Sequence, residues 1–201
     1  MRTAVAIFPG SNCDRDMAVA IKKITGKSPL KLWHKDTEAP NLDLIVIPGG
    51  FSFGDYLRCG ALAARSPIIK NIKNHVSRGG ALLGVCNGFQ ILIEANILPG
   101  SLVRNKKLLF TCRETTLEVQ DSIQSPFLSS FNTGDCLNIP VAHNEGNYIA
   151  NNELLKELEN NGRIAFKYKK SSEIETDYNP NGSLNDIAGI LSKNGRVLGM
   201  M

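Results

Sequence analysis

Gly79-Gly80-Ala81-Leu82-Leu83-Gly84-Val85-Cys86-Asn87-Gly88-Phe89-Gln90 is the stretch on which the reading of this chain turns. A small and apolar run leads into Gly84-Val85-Cys86-Asn87-Gly88, and an apolar helical pattern follows. That is the layout of a nucleophile elbow, G-x-C-x-G, with cysteine where many hydrolases carry serine. Such an elbow is a sharp strand-to-helix turn that holds the nucleophile in a strained conformation. The flanking glycines let neighbouring backbone approach without a clash. Cys86 then sits at a helix N-terminus, where the dipole and free N–H groups favour a thiolate. The N–H of Asn87 faces the oxyanion formed by its attack. A buried structural cysteine is the competing reading. The glycines, the apolar strand before and the helix after all favour the nucleophile.

Working outward, Pro48-Gly49-Gly50-Phe51-Ser52-Phe53-Gly54-Asp55-Tyr56-Leu57-Arg58 closes the preceding strand, Leu42 to Ile47. Ligand sites of open α/β sheets lie at the carboxyl ends of strands. Paired glycines there free backbone N–H groups to face a substrate oxygen, so Gly49 and Gly50 are candidates for an oxyanion-hole loop. A plain Pro-Gly-Gly turn is the alternative.

The rest of the chain fits an α/β protein. Thr3 to Phe8 reads as a buried strand. Asn12-Cys13-Asp14 caps a helix from about Asp14 to Thr25, with Met17, Ala20, Ile21 and Ile24 inward. Lys27 to Trp33 is a second strand. A helix from Leu57 or Ala61 to His75 breaks near Ser66-Pro67, and the elbow strand (Ala81 to Val85) and helix (Asn87 to Glu94) follow. Continuous apolar strands of this kind form a mostly parallel, open sheet with helices on both faces. Beyond Ser101 the pattern becomes antiparallel. Leu108 to Cys112, Thr115 to Val119 and Leu137 to Ala142 read as strands, Asn151 to Asn160 as a helix with Leu154, Leu155 and Leu158 inward. Arg163 to Tyr168 is a strand, Ser171 to Leu184 a loop, and Ile187 to Ser192 with Val197 to Met200 a hairpin over Lys193-Asn194-Gly195. The fold expected is therefore α/β with a small antiparallel extension.

The 201 residues hold 23 basic and 19 acidic side chains, a net charge of +4, with no long Lys/Arg run, which argues against nucleic-acid binding. Five cysteines without a C-x-x-C pair argue against a zinc site or a disulfide framework and for a reducing compartment. No apolar stretch is long enough to span a membrane, and the N-terminus lacks a signal-peptide layout. The expectation is a cytoplasmic protein without a metal site.

The elbow and the Pro48 to Arg58 segment resemble class I (triad) glutamine amidotransferases. More narrowly they are similar to the family of glutaminase subunits of phosphoribosylformylglycinamidine synthase. Phe8-Pro9-Gly10-Ser11-Asn12-Cys13-Asp14, Phe110-Thr111-Cys112-Arg113, Val141-Ala142-His143-Asn144-Glu145-Gly146 and Asn185-Asp186-Ile187-Ala188-Gly189-Ile190 extend the resemblance over almost the whole chain. It implies a flavodoxin-like fold and a single amidotransferase domain over 1–201. It implies a glutamyl thioester on Cys86, an oxyanion held by Gly50 and Asn87, and a glutamine pocket involving Gly49 and Gln90. Gln90, one turn after Cys86, is otherwise a solvated helix residue. No cofactor is expected in this subunit. ATP and Mg are expected in the partner synthetase subunit, which takes up the ammonia, and a third small subunit is left open.

In that family the base is a histidine, with its orienting glutamate, in a Pro-His-Pro-Glu motif directly after a strand resembling Gly195 to Met201, where this sequence stops. The expectation is a domain truncated at its C-terminus, lacking two triad members and poor as a glutaminase. An inactive paralogue that binds glutamine or the synthetase, or another enzyme on the same scaffold, are the alternatives. His34 and His75 read as surface residues. His143 reads as having a role separate from the base.

Overall fold

Four short apolar strands carry the first half of the chain: β1 (Thr3–Ile7), β2 (Leu30–Trp33), β3 (Leu44–Ile47) and β4 (Ala81–Val85). In the computed structural model, which describes residues 1–170 and 177–201, they pair in parallel in the order β2-β1-β3-β4. Parallel neighbours require crossovers: α1 (Asp14–Thr25) lies in the connection from β1 to β2 and α2 (Ile68–Ser77) in that from β3 to β4, while α3 (Asn87–Glu94) follows β4. The chain divides into two compact units, Met1–Leu98 and Pro99–Met201.

Side chains alternate across a strand, and the first unit shows both faces in use. Val5, Val46, Ile7, Leu44 and Leu83 face α1 through Met17, Ala18 and Ile21. The next residues along, Ile47 and Gly84, face α3. Helices therefore cover both faces, as expected. The inward face of α1 is rotated from the expected one, since it uses Ala18, and Ile24 is 85% exposed. Ile24 lies in the last turn, where Gly26, at φ 72, turns the chain away. Cys13 is the N-cap of α1 without a side-chain capping bond, so the expected cap does not form, and Asp14 and Asp16 provide the favourable first-turn charge instead. The helix expected from Leu57 or Ala61 starts only at Ile68. Ser52–Asp55 and Ala63–Arg65 are 3-10 turns, and Pro67 stands just before the helix.

The second unit contains β5 (Ser101–Val103), β6 (Thr111–Val119), β7 (Cys136–His143), β8 (Asn147–Ile149), α4 (Asn152–Asn160), β9 (Ile164–Lys169), β10 (Ile187–Leu191) and β11 (Val197–Met200). The order β11-β10-β9-β6-β7 is antiparallel throughout, and β5 pairs antiparallel with β8 in a small separate sheet. The Asn194-Gly195 hairpin is present, with Gly195 at φ 68. The strand expected over Leu108 to Cys112 does not form. Leu108 is at φ 57 in a turn closed by its N–H on the Asn105 carbonyl, and Leu108, Leu109 and Phe110 are exposed. One long β6 begins at Thr111 instead. Asn151 caps α4 by accepting from the Leu154 N–H at 2.8 Å, while Leu155 and Leu158 are buried. Of the loop expected over Ser171 to Leu184, positions 171–176 lie outside the described residues.

Candidate active site

β4 ends at Val85 and α3 begins at Asn87, which leaves Cys86 alone in the turn at φ 52, ψ −111. A non-glycine residue held there costs about 1–3 kcal/mol, and surrounding structure must over-determine it. The flanking glycines do so. A Cβ on Gly84 would lie 2.6 Å from Leu92 Cδ1 and 2.8 Å from the Gly88 carbonyl oxygen. A Cβ on Gly88 would lie 2.0 Å from the Ile47 carbonyl oxygen. The strand-to-helix crossing is thus tight enough to exclude any side chain at either position, and Asn87 through Ile93 are buried.

Burial also decides the state of the thiol. Cys86 keeps part of its surface open, yet burial pushes its thiol from 9.0 up to about 11. The hydrogen bond from the Asn87 backbone pulls the other way and is the smaller effect, and the Asp55 charge adds to the rise. The thiolate bias expected from the helix N-terminus is therefore outweighed.

The Gly49-Gly50 turn lies against the elbow. A Cβ on Gly49 would be 3.5 Å from Cys86 Cβ and 3.5 Å from Cys13 Sγ. Gly50 has φ 141, and a Cβ there would be 2.8 Å from the Asn12 backbone nitrogen. The N-terminal loop holds this segment by backbone bonds: Phe51 N–H to Gly10 O at 3.0 Å, Phe53 N–H to Pro9 O at 2.6 Å and Cys13 N–H to Gly49 O at 3.4 Å. Gly49, Gly50, Cys86 and Asn87 are thus brought together as the sequence suggested.

Sequence reasoning missed how the two motifs are joined. The Asn87 side chain is 1% exposed. Its Oδ1 accepts from the Ser52 N–H at 3.0 Å, and its Nδ2 donates to Gln90 Oε1 at 2.8 Å and Asp55 Oδ1 at 3.2 Å. Gln90 is buried, so it is not a solvated helix residue. Arg58 grips Glu94 through two bonds, Nε to Oε1 at 2.9 Å and a terminal nitrogen to Oε2 at 2.5 Å. The only available signal was that Asp55, Arg58, Asn87 and Gln90 all fall inside the two recognised motifs.

The histidines depart from expectation. His34 is buried, edge-on to Phe53 at 5.3 Å and to Trp33 at 4.7 Å, and burial lowers its pKa. His75 is buried with Nε2 donating to the Ala81 carbonyl at 2.9 Å. Both are structural groups of the first unit, not surface residues. In the second unit, His143 is 3% exposed, neither ring nitrogen has a hydrogen-bond partner among the described residues, and burial lowers its pKa to about 4. No cluster of three or more metal-ligating side chains occurs among the described residues, nor does any helix long and apolar enough to cross a membrane.

Known proteins resemble this chain over its whole length. Phosphoribosylformylglycinamidine synthase subunit PurQ of Rhizobium meliloti (strain 1021) is 52% identical over 201 residues, covering 100% of this chain and 87% of the relative. The same subunit of Ruegeria pomeroyi is 54% identical over 202 residues, covering 100% and 86%. A chain in the structure of PurLQS from Thermotoga maritima superposes with a TM-score of 0.86 at 38% identity, covering all of this chain and 85% of its own length. The family model for the CobB/CobQ-like glutamine amidotransferase domain matches residues 1–201. With its cysteine elbow, its paired-glycine loop and this match from end to end, the chain belongs to the CobB/CobQ-like glutamine amidotransferase family.

Proposed function

We propose that this chain is the glutaminase subunit of a phosphoribosylformylglycinamidine synthase, with Cys86 as its nucleophile. The observation that carries the assignment is the strained Cys86 backbone, enforced by Gly84 and Gly88 and set beside Gly49. The Cys86 sulfur attacks the side-chain carboxamide carbon of glutamine. Backbone N–H groups of Gly50 and Asn87 hold the oxyanion. Collapse of the tetrahedral intermediate breaks the C–N bond, ammonia leaves with the proton it needs, and a glutamyl thioester remains. Water cleaves the thioester to glutamate and regenerates the thiol. Gly49 and Gln90 shape the pocket for the glutamyl side chain.

Because burial holds the proton on Cys86, the attack needs a base that removes it and returns it to the departing nitrogen. The ammonia passes to a synthetase subunit, in an assembly with a third small subunit like the PurLQS of Thermotoga maritima. ATP and Mg belong to that synthetase, where the amide of formylglycinamide ribonucleotide is activated. The complex works in the cytoplasm.

The test is glutamate release from glutamine by the assembled complex, together with labelling by 6-diazo-5-oxo-norleucine. Turnover abolished by Cys86→Ala, with label on the peptide holding Cys86, supports the assignment. Label on Cys13 or Cys59, or turnover that survives Cys86→Ala, would sink it. Glutamine binding without turnover would point instead to a regulatory, inactive paralogue.

A further inference from the structure

We propose that the Asn87 carboxamide is a positioning residue of the glutaminase reaction, locking the oxyanion loop to the nucleophile helix. This is separate from the Asn87 backbone N–H and rests on the roles given above to Cys86 and Gly50. The Ser52 N–H that Asn87 Oδ1 accepts lies two residues past Gly50, inside a segment of unusual backbone. Phe53, Gly54 and Asp55 all have φ between 54 and 68, and Leu57 has φ 70. Such a segment has no regular ladder: backbone bonds to Gly10 and Pro9 take the N–H groups of Phe51 and Phe53, and the buried Ser52 N–H between them needs a side-chain acceptor. Asn87 supplies one from the residue next to the nucleophile.

Only a carboxamide suits this position. One oxygen must accept from Ser52, and the other branch must donate to two oxygens, Gln90 Oε1 and Asp55 Oδ1. Aspartate is acceptor-only when ionised, leucine offers neither function, and a hydroxyl has one proton where two are used. The same contacts fix which branch is oxygen, since Oδ1 must face the Ser52 donor. Asp55 and Asn87 thereby connect the Gly54-Asp55-Tyr56-Leu57-Arg58 and Asn87-Gly88-Phe89-Gln90 elements by a direct bond. Arg58 and Glu94 connect them again one helix length further on.

Asn87→Asp tests the idea because it keeps the size and the Ser52 acceptor but sets a carboxylate against Asp55. Among the described residues, the titratable groups around the cluster are Asp55 from the loop, Cys86 in the elbow, Cys13 from the N-terminal loop and His34, packed edge-on to Phe53, with the Arg58–Glu94 pair at its far end. Two facing carboxylates share a proton at low pH, and that proton restores a donor. At higher pH both ionise, the loop loses its latch and the added charge opposes a Cys86 thiolate. The ratio of variant to parent kcat should therefore fall as pH rises.

In the complex with the synthetase subunit, and with glutamine as the probe, Asn87→Asp should lower kcat about 100-fold at pH 8. KM should change by less than about threefold, as for loss of an interaction made in the transition state. The kcat ratio should recover about tenfold on going to pH 6. The exchanged pair, Asp55→Asn with Asn87→Asp, restores one donor and one carboxylate across the same gap. It should regain at least about tenfold in kcat at pH 8 and lose the pH-dependent ratio. A pH-independent ratio, or an exchanged pair no better than the single variant, overturns the proposal. If the single variant does not assemble, the exchanged pair is compared with the parent alone. A kcat within about tenfold supports the latch, and a loss of 100-fold or more overturns it. A parent complex that does not turn over glutamine overturns the glutaminase reading first, and the latch with it.

Discussion

The sharpest physical question is whether burial or the helix N-terminus governs Cys86, and alkylation rates across alkaline pH answer it. A thiol at about 11 is one part thiolate in about 100 at pH 9 and one in about 11 at pH 10. Its alkylation by iodoacetamide should therefore rise about ninefold over that single unit. A small peptide thiol titrating near 8.5 is already about three-quarters ionised at pH 9 and gains only about 1.3-fold. With such a peptide in the same tube, the ratio of the two slopes cancels any pH effect on the reagent. Short pulses, quenched and digested with trypsin, place Cys86 on the peptide spanning 79–104, which contains no other cysteine. The absolute rate at pH 7 is less informative, because a more basic thiolate is also the better nucleophile. Only the shape of the profile separates the cases. A Cys86 rate that levels off below pH 9 would refute the argument, showing that the α3 N-terminus and the Asn87 N–H outweigh burial.

Other perturbations test the surrounding framework. Gly88→Ala places a carbon 2.0 Å from the Ile47 carbonyl oxygen, so α3 must shift; a loss towards the upper end of about 1–3 kcal/mol is expected in urea titrations. Asn151→Ala removes the α4 cap bond to Leu154 and should cost about 1 kcal/mol, with activity unaffected. His143 has a pKa lowered from 6.5 to about 4, so the unfolded chain binds the proton more readily between those values. Stability from its burial is complete above about pH 6.5 and is lost as pH falls to 4, by about 3 kcal/mol. His143→Gln should flatten that part of the stability profile, and an unchanged profile would refute the attribution.

What the sequence revealed and what it concealed follow one physical line. The elbow was legible to the residue, because β4, Cys86 and α3 are specified by local signals: an apolar strand, glycines at a tight crossing and an apolar helix. The parallel first unit was legible for the same reason, since its strands are continuous apolar runs. The sequence did not reveal where burial beats local chemistry. Cys86 was expected to be a thiolate because the helix N-terminus is visible in the sequence and the protein packed around the sulfur is not. His34 and His75 were read as surface residues because polar side chains at element ends usually are. Instead Phe53 and Trp33 close over one, and the Ala81 carbonyl receives the other. Leu108-Leu109-Phe110 looked like a strand by composition, but the turn onto Asn105 overrides β-propensity.

The same contrast explains why the site is built from strained backbone. Cys86, Phe53, Asp55 and Leu57 all lie at positive φ without being glycine. Each conformation costs about 1–3 kcal/mol, a large fraction of the 5–15 kcal/mol that holds a typical protein folded. Strain of this size persists only where bonds from several directions oppose its relaxation. Here they come from the N-terminal loop through Pro9 and Gly10, from α3 through Asn87, and from the Arg58–Glu94 pair. Relaxation at any one residue would break contacts at the others, so the loop and the elbow hold their shapes together. An oxyanion hole needs donors fixed before charge develops, because donors that reorient during the reaction give back the stabilisation they provide. A loop in regular secondary structure would have spent its N–H groups on its neighbours. Irregular, over-determined backbone is what leaves such groups both fixed and available, and in the proposed reaction that is why so irregular a stretch of the first unit lies beside Cys86.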